Sequence, residues 1–472
     1  MIVLLVSSSA RGHAIADAFA RSPQNMEIIS LCPTANPGIR ALAREQHVMN
    51  IMNFEQVCAI AKKTQPDFAF IAPDDAIGGG LADALETIGI ASVAPKKELA
   101  KIESSKGFTR NLLKKHDIDA SPKFRVLPSL EGGGRGRGLE QEIRSYIENE
   151  LHGEYVVKYD ALKGGKGVKL SGEHLETIDH GVSYALECIE ECGRVVLEEK
   201  LIGVEFSLLS FVSGPDVVHM PVVQDHKRAY ENDTGPNTGG MGTYSDTNHS
   251  LPFLTENDLK RAQEINQLVA HALLREFGIP YKGILYGGFI AVRDGIRLIE
   301  YNARFGDPEA LNILPLLTSD FAAICLGIVT GELTEDLVHF SRKATVCKYI
   351  VPESYPVSKD QKGDIVEFPF SHSAPDRYNL FYGDISEDLN GNLILGSSRT
   401  AGIVGIGDSI AQAEAIAQKL CEQVQGPVRF RRDIGKEEMI QKRKDMMKDL
   451  RYSSPVSSSR SALPLSTSST VF

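Results

Sequence analysis

Short apolar runs alternate with helical patterns through the first hundred residues. IVLLV (2–6) precedes RGHAIADAFARSP (11–23), EIISLCP (27–33) follows, and DFAFIAP (67–73) precedes AIGGGLADALETIG (76–89). Continuous apolar strands between helices predict a small parallel sheet covered on both faces. Ligands of such sheets sit at the carboxyl ends of the strands, here the loops after Val6 and Ala72. A second unit, 101–330, opens with the helical KIESSKGFTRNLLKKH (101–116) and runs through EYVVKYDALKGGKGVKL (154–170). It continues in strand-rich pieces, RVVLEEKL (194–201), VEFSLLSFV (204–212), ILYGGFIAV (284–292) and IRLIEYNARF (296–305). EGGGRGRG (131–138) interrupts it and reads as a mobile surface loop. A third unit, 331–436, ends in the helical DSIAQAEAIAQKLCEQV (408–424) and RFRRDIG (429–435). Beyond it, 437–472 reads as a charged helix followed by a serine-rich tail without strand or helical period, the composition of a disordered segment.

Composition narrows the partners. The chain has 472 residues, 42% of them hydrophobic, enough for several cores. A net charge of −11 argues against a general nucleic-acid or membrane-surface protein, which would be basic. The seven cysteines are scattered; Cys188 and Cys192 sit i,i+4, but no second ligand pair accompanies them. Buried thiols in a reducing cytoplasm are the expectation. The apolar start has no basic region before it and reads as a first strand, and no apolar run has the length of about 18 that spans a bilayer.

The densest chemistry lies in QDHKRAYENDTGPNTGGMGTY (224–244). Its glycines allow close backbone approach and positive φ, and successive N–H groups there can form an anion nest. Lys227 and Arg228 add charge, the arginine as a fork matched to phosphate or carboxylate. Taken alone, the stretch is equally a solvated glycine loop. GGKG (164–167) is not the nucleotide P-loop, which needs another spacing and a Ser or Thr; alone it is a hairpin turn. Glu300 and Asn302 are i,i+2 on a strand and so share a face. A carboxylate and an amide oxygen converging there suit Mg²⁺, which takes phosphate oxygens and waters as its other ligands. Arg304 falls two residues further along that face.

Together these segments resemble the phosphoribosylamine–glycine ligase (glycinamide ribonucleotide synthetase) family of the ATP-grasp superfamily, over residues 1–436. NPGI (36–39), LKGGKGVKL and EEKLIGVEF are similar to its archaeal branch. The resemblance implies an α/β ATP-grasp fold: an N-terminal parallel-sheet substrate domain (1–100), a two-lobed ATP-grasp domain (101–330) with a flexible glycine loop near 163–168, and a C-terminal mixed α+β domain. It implies ATP and Mg²⁺ (or Mn²⁺), with glycine and 5-phosphoribosylamine as substrates. Lys106, Lys158, Gly164, Gly165, Lys166 and Gly167 are expected on nucleotide phosphates. Glu198, Glu199 and Leu201 are expected at the adenine, and Glu205 at the ribose. Glu300 and Asn302 would hold the metal. Asp225, Lys227, Asp233 and Arg304 would serve the chemistry. Arg11, His13, Asp225, His226, Asn237, Gly239, Gly240, Asp307 and Pro308 would hold substrate. A cytoplasmic enzyme, monomer or small homo-oligomer, follows.

The N-terminal loops depart from the family pattern. Ser7-Ser8-Ser9-Ala10-Arg11-Gly12-His13 stands where a glycine-rich loop is usual; Ala72-Pro73-Asp74 and Ala94-Pro95-Lys96 are the other two changes. They leave open an ATP-grasp ligase with another amine acceptor, or a non-catalytic nucleotide-binding descendant.

Overall fold

The computed structural model describes residues 1–128, 137–162, 167–374 and 376–453. Gly164, Gly165 and Lys166, most of the 131–138 segment and the serine-rich tail lie outside the described residues. Five parallel strands open the chain, in the order Glu45–Val48, Glu27–Cys32, Ile2–Val6, Phe68–Ile71 and Ser92–Val93. Val3 to Val6 are fully buried, which explains why this central strand reads as an unbroken apolar run. The two central strands end at the loops that enter helices Ala10–Ala20 and Asp74–Gly79.

Two antiparallel sheets follow. One runs Phe124–Leu127, Val195–Glu199, Tyr155–Tyr159, Val168–Leu170 and has its own small core around Leu127, Tyr155, Val157 and Leu197. The other runs Asp216–His219, Val204–Ser213, Lys282–Val292, Gly295–Asn302. Helix Glu256–Phe277 packs on it, started by a Thr255–Asp258 capping box and stopped at Gly278 with φ +64°. In the last strand pair, Gly288 faces Glu300 while Phe289 faces Leu298, so Ile299 bulges out of register.

The third antiparallel sheet, called the third sheet below, runs Gln224–Asp225, Gly242–Ser245, Ala344–Pro352, Ala401–Gly407, Tyr378–Tyr382, Ser373–Ala374. Its first two strands come from the glycine-rich stretch, which thereby fastens the second unit to the third. The segment between them carries a separate hairpin, Arg228–Tyr230 with Thr234–Asn237. The final helix, Glu437–Tyr452, does not project freely: Met439, Ile440 and Met447 are buried against the body. Among the described residues no helix is long and apolar enough to cross a membrane.

Candidate active site

The three units meet around a cleft of about 370 Å³. Strand Gly295–Asn302 forms its floor, and Glu300, Asn302 and Arg304 line it. Lys106 Nζ lies 3.6 Å from Glu300 Oε2. Burial alone would raise the Glu300 carboxyl, but Lys106, Lys227, Lys158 and Arg304 outweigh it and hold the group down at about 2. Glu300 is therefore an anion at any physiological pH. Arg304 donates from Nη2 to Asn302 Oδ1 at 3.2 Å and pairs with Glu103 Oε1 at 3.1 Å. Glu103 Oε2 accepts from the Ala303 amide at 2.7 Å. Glu103 thus sets the guanidinium beside the paired oxygen ligands.

Lys158 enters from the strand Tyr155–Tyr159 and lines the same cleft. Its Nζ lies 2.7 Å from Glu198 Oε2, and Arg110 Nε takes Glu198 Oε1 at 2.7 Å. The Ile299 carbonyl accepts from Arg110 Nη2 at 2.8 Å and from Lys158 Nζ at 3.4 Å. The bulge frees that carbonyl, so one backbone irregularity locks both cations. Glu198 is 2% exposed and does not line the cleft; it braces Lys158 instead of facing an adenine ring. Glu199 caps the Lys123 amide at 2.7 Å, and Leu201 packs on Ile290, Val292 and Ile299. Glu205 lines a small recess beside the cleft, where Lys227 Nζ is 3.6 Å from its Oε2 and its buried Oε1 has no partner. Burial raises its carboxyl.

The opposite wall comes from the glycine-rich stretch and the parallel sheet. Asp225, Lys227, Asn237, Thr238 and Gly239 line it, with Ser9, Arg11 and Asp74 at the strand ends. Burial works against the Lys227 ammonium, yet Glu205, Glu300, Asp225 and Glu309 keep it well above its usual value. Burial and neighbouring Glu309 push Asp225 up, against Lys227, Arg399 and the His226 amide. Arg11 donates to the Phe305 carbonyl at 2.6 Å, and its amide to Asp307 Oδ2 at 3.2 Å. Burial and Arg304 lower it to about 10. Asp307 is further held by Tyr349 Oη at 2.5 Å and Arg399 Nη2 at 3.3 Å. Arg399 also donates to the carbonyls of Gly239, Gly240 and Asp307 at 2.8, 3.0 and 2.9 Å. At Gly240, φ is +111° and a Cβ would meet Asp225 Oδ1 and Pro308 Cδ, both at 2.6 Å. Only glycine fits there.

Three more of the expected residues lie away from the cleft. His13 is buried between the first and third units, where Nδ1 accepts from the Tyr382 amide at 2.9 Å. His226 is 1% exposed, and its backbone pairs with Gly242 and Met241. Asp233 sits at the hairpin tip, taken by Arg431 at 3.0 Å and by Arg443. None of the three lines the cleft; each holds a backbone or a hairpin in place. Conversely, Glu103, Tyr286, Glu309 and Arg399 line the cleft without having been singled out for a role. Glu103 is three residues before Lys106, but extended Ser105 separates helix Lys101–Ser104 from helix Lys106–Lys115, so helical spacing does not flag it. Arg399 carries no signal: it meets Asp307 only through the third sheet.

The donor set fits a nucleotide and its metal. Buried Arg11 Nε, Arg304 Nε, Asn237 Oδ1 and Glu205 Oε1 all lack hydrogen-bond partners, and they sit in the cleft or its recess. Among the described residues no cluster of three or more His, Cys, Asp or Glu could hold an ion alone. Glu300 with Asn302 instead suits an ion that completes its shell with phosphate oxygens and waters.

Family models for phosphoribosylglycinamide synthetase match the chain in sequence: the N domain at residues 1–103, the ATP-grasp (A) domain at 104–310 and the C domain at 345–437. A phosphoribosylamine–glycine ligase of Methanococcus maripaludis is 44% identical over 457 residues, covering 95% of this chain and 100% of that relative. The crystal structure of phosphoribosylamine–glycine ligase from Thermotoga maritima superposes with a TM-score of 0.75 at 27% identity, over 92% of this chain and 100% of that one. The biotin carboxylase domain of Hydrogenobacter thermophilus 2-oxoglutarate carboxylase, crystallised with MgADP and bicarbonate, shares the fold. Its TM-score is 0.66 at 15% identity, over 95% and 94% of the two chains.

Proposed function

We infer the reaction from one premise: the chain belongs to the phosphoribosylglycinamide synthetase family. It is an ATP-dependent carboxylate–amine ligase of purine biosynthesis, joining glycine to 5-phosphoribosylamine through a glycyl phosphate and releasing glycinamide ribonucleotide, ADP and phosphate. The observation that carries the reading is a single cleft with two unlike walls. Glu300, Asn302, Lys106 and Lys158 line one side, and Arg11 with the glycine-rich stretch lines the other.

A carboxylate is a poor electrophile, so the glycine carboxylate is first phosphorylated. Phosphoryl transfer needs positioning and charge neutralisation more than a nucleophilic side chain. In this reading Lys106 and Lys158 hold the nucleotide phosphates, Glu205 the ribose, and Arg304 the transferring group. Glu300 and Asn302 would hold Mg²⁺, which neutralises phosphate charge during transfer. The amine then attacks the acyl carbon, phosphate leaves, and Asp225 takes the proton that the new amide sheds. Arg11 and Ser9, at the start of helix Ala10–Ala20, receive the acceptor's phosphate; a helix N-terminus favours anions. Closure of the lobe that carries Lys158 would exclude water from the acyl phosphate. The enzyme is cytoplasmic in this reading, as a monomer or small homo-oligomer.

The altered N-terminal loop does not favour another acceptor. Ser7 is buried and packs where Gly12 leaves room, and of the three serines only Ser9 lines the cleft, its hydroxyl buried without a partner. A hydroxyl there replaces backbone donors that a glycine loop would expose. Hydroxylamine trapping tests the intermediate. With ATP, Mg²⁺ and glycine but no amine acceptor, glycine hydroxamate should accumulate; its absence under conditions where the complete reaction runs would overturn the acyl-phosphate route.

A further inference from the structure

Among the described residues, the hairpin Arg228–Tyr230 with Thr234–Asn237 pairs with no other strand. A lone two-stranded hairpin is marginal in water. Its ends nevertheless deliver Lys227 on one side and Asn237 to Gly239 on the other into the cleft. Something outside the hairpin must hold it. At the tip, Asn232 and Asp233 both have left-handed backbone, φ 59° and 53°. One carboxylate oxygen of Asp233 takes Arg431 Nη1 at 3.0 Å; the other takes Arg443 Nη2. Arg431, fully buried, also donates to the Arg228 carbonyl at 3.0 Å. The Asn232 amide donates to Asp433 Oδ2 at 2.8 Å, and Lys442 Nζ to Asn232 Oδ1 at 3.2 Å.

Arg443 and Lys442 stand on the helix Glu437–Tyr452, which extends beyond the 345–437 span of the family's C domain. The far end of that helix is fastened as firmly. Arg451 makes a two-pronged pair with Asp258, at 2.8 and 2.9 Å. It also donates to the carbonyls of Val292 and Gly295, at 3.1 and 3.2 Å. Those carbonyls flank the turn between strands Lys282–Val292 and Gly295–Asn302, the second of which carries Glu300 and Asn302. Arg443 and Arg451 are eight residues apart on one helix, a stiff span of about 12 Å. The middle of the helix grips the tip of the glycine-rich hairpin, and its last turn grips the turn of the hairpin that carries Glu300 and Asn302.

We propose that the helix Glu437–Tyr452 is a positioning element of the active site, with Arg443 and Arg451 fixing the hairpin of Lys227 and Asn237 relative to the strand of Glu300 and Asn302. Neither arginine lines the cleft; both act through the elements they hold. The kinetic part of this proposal rests on the ligase reaction assigned above. The mechanical part does not. Removing Arg443 leaves the part-buried Asp233 carboxylate to Arg431 alone and frees the hairpin tip from the helix.

The test uses the full-length chain, wild type and Arg443→Ala, with Arg443→Lys as the second variant. Amide hydrogen exchange is followed across residues 229–237, with strand Ile2–Val6 as the internal reference. Steady-state kinetics are measured for ATP, glycine and phosphoribosylamine. Arg443→Ala should speed exchange in the hairpin at least tenfold and leave the reference strand unchanged. It should lower kcat/KM for glycine at least tenfold and leave the KM for ATP within about twofold. Arg443→Lys should recover part of both, since charge remains but the fork is lost. If the alanine variant does not fold, the lysine variant is read by the same two measurements, each loss being smaller. Hairpin exchange indifferent to Arg443 would overturn the brace. A loosened hairpin with wild-type kinetics would overturn the positioning role. An inactive wild-type chain would overturn the assigned reaction, while the exchange result would still decide the brace.

Discussion

At Glu300, four cations converge on one half-buried carboxylate and hold it down at about 2. Four cations around one anion leave this cleft wall net positive, which suits phosphate groups, and in the proposed reaction Glu300 would hold the Mg²⁺ that accompanies them. Glu300→Ala should therefore leave the fold intact and lower kcat about a thousandfold or more, the several kcal/mol that metal positioning supplies. Thermal unfolding and turnover at saturating Mg²⁺ check it together; near-normal turnover would contradict the role. The sequence brings Lys158, Glu300 and Asn302 to notice through their own segments and Lys106 through the family resemblance alone, and all four line one cleft. Arg399 and Glu309 were not legible there, because their meaning lies in what they meet. Arg399 gains a role only when the third sheet carries it against Asp307 and the carbonyls of Gly239 and Gly240. Asp233 was read in the opposite sense. Its place within the glycine-rich stretch suggested chemistry, whereas the hairpin turns its carboxylate away from the cleft toward two arginines.

At the scale of elements, the apolar rhythm gave away the parallel sheet and the paired strands of the ATP-grasp lobes. It could not give the bulge at Ile299, which depends on register with a strand before it. Nor could it give the docking of the last helix, whose charged surface hides buried Met439, Ile440 and Met447. The glycine-rich stretch shows how tightly an element can be specified. Gly240 lies at φ +111° with Asp225 and Pro308 pressed against the space a side chain would need. Gly240→Ala should destabilise the chain by about 1–3 kcal/mol. It should also displace Asp225, so that kcat falls more than the affinity for ATP. Circular dichroism melts and initial-rate kinetics read the two effects; a variant with unaltered kcat would mean that Asp225 is not confined by this backbone.

One core runs through the first unit, the second ATP-grasp lobe and part of the third sheet, residues such as Leu380 and Ile403 of that sheet close a second core, and the lobe carrying Lys158 keeps its own. That division lets one lobe move over a fixed platform. The platform has an acid-sensitive joint. His13 is buried between the first and third units, where burial and then His372 lower it to about 3, and its neutral Nδ1 accepts the Tyr382 amide. Below pH 6.5 the unfolded chain takes up a proton that the folded chain refuses. The stability contributed is thus complete above pH 6.5 and drains as pH falls toward the folded value, by about 1.4 kcal/mol per pH unit. His226, lowered to about 4 by burial first, adds in the same direction. Denaturant unfolding between pH 7 and 5 should show this slope, and His13→Asn, which can still accept from Tyr382, should remove about one proton's share of it; an unchanged slope would contradict the assignment. The central claim is that all three units serve one ligation, and ADP release measured with each substrate omitted in turn tests it most directly. The account predicts rapid ADP release, matched by glycinamide ribonucleotide, only when ATP, Mg²⁺, glycine and 5-phosphoribosylamine are all present. Robust glycine-dependent ADP release with a non-phosphorylated amine, and none with 5-phosphoribosylamine, would contradict it.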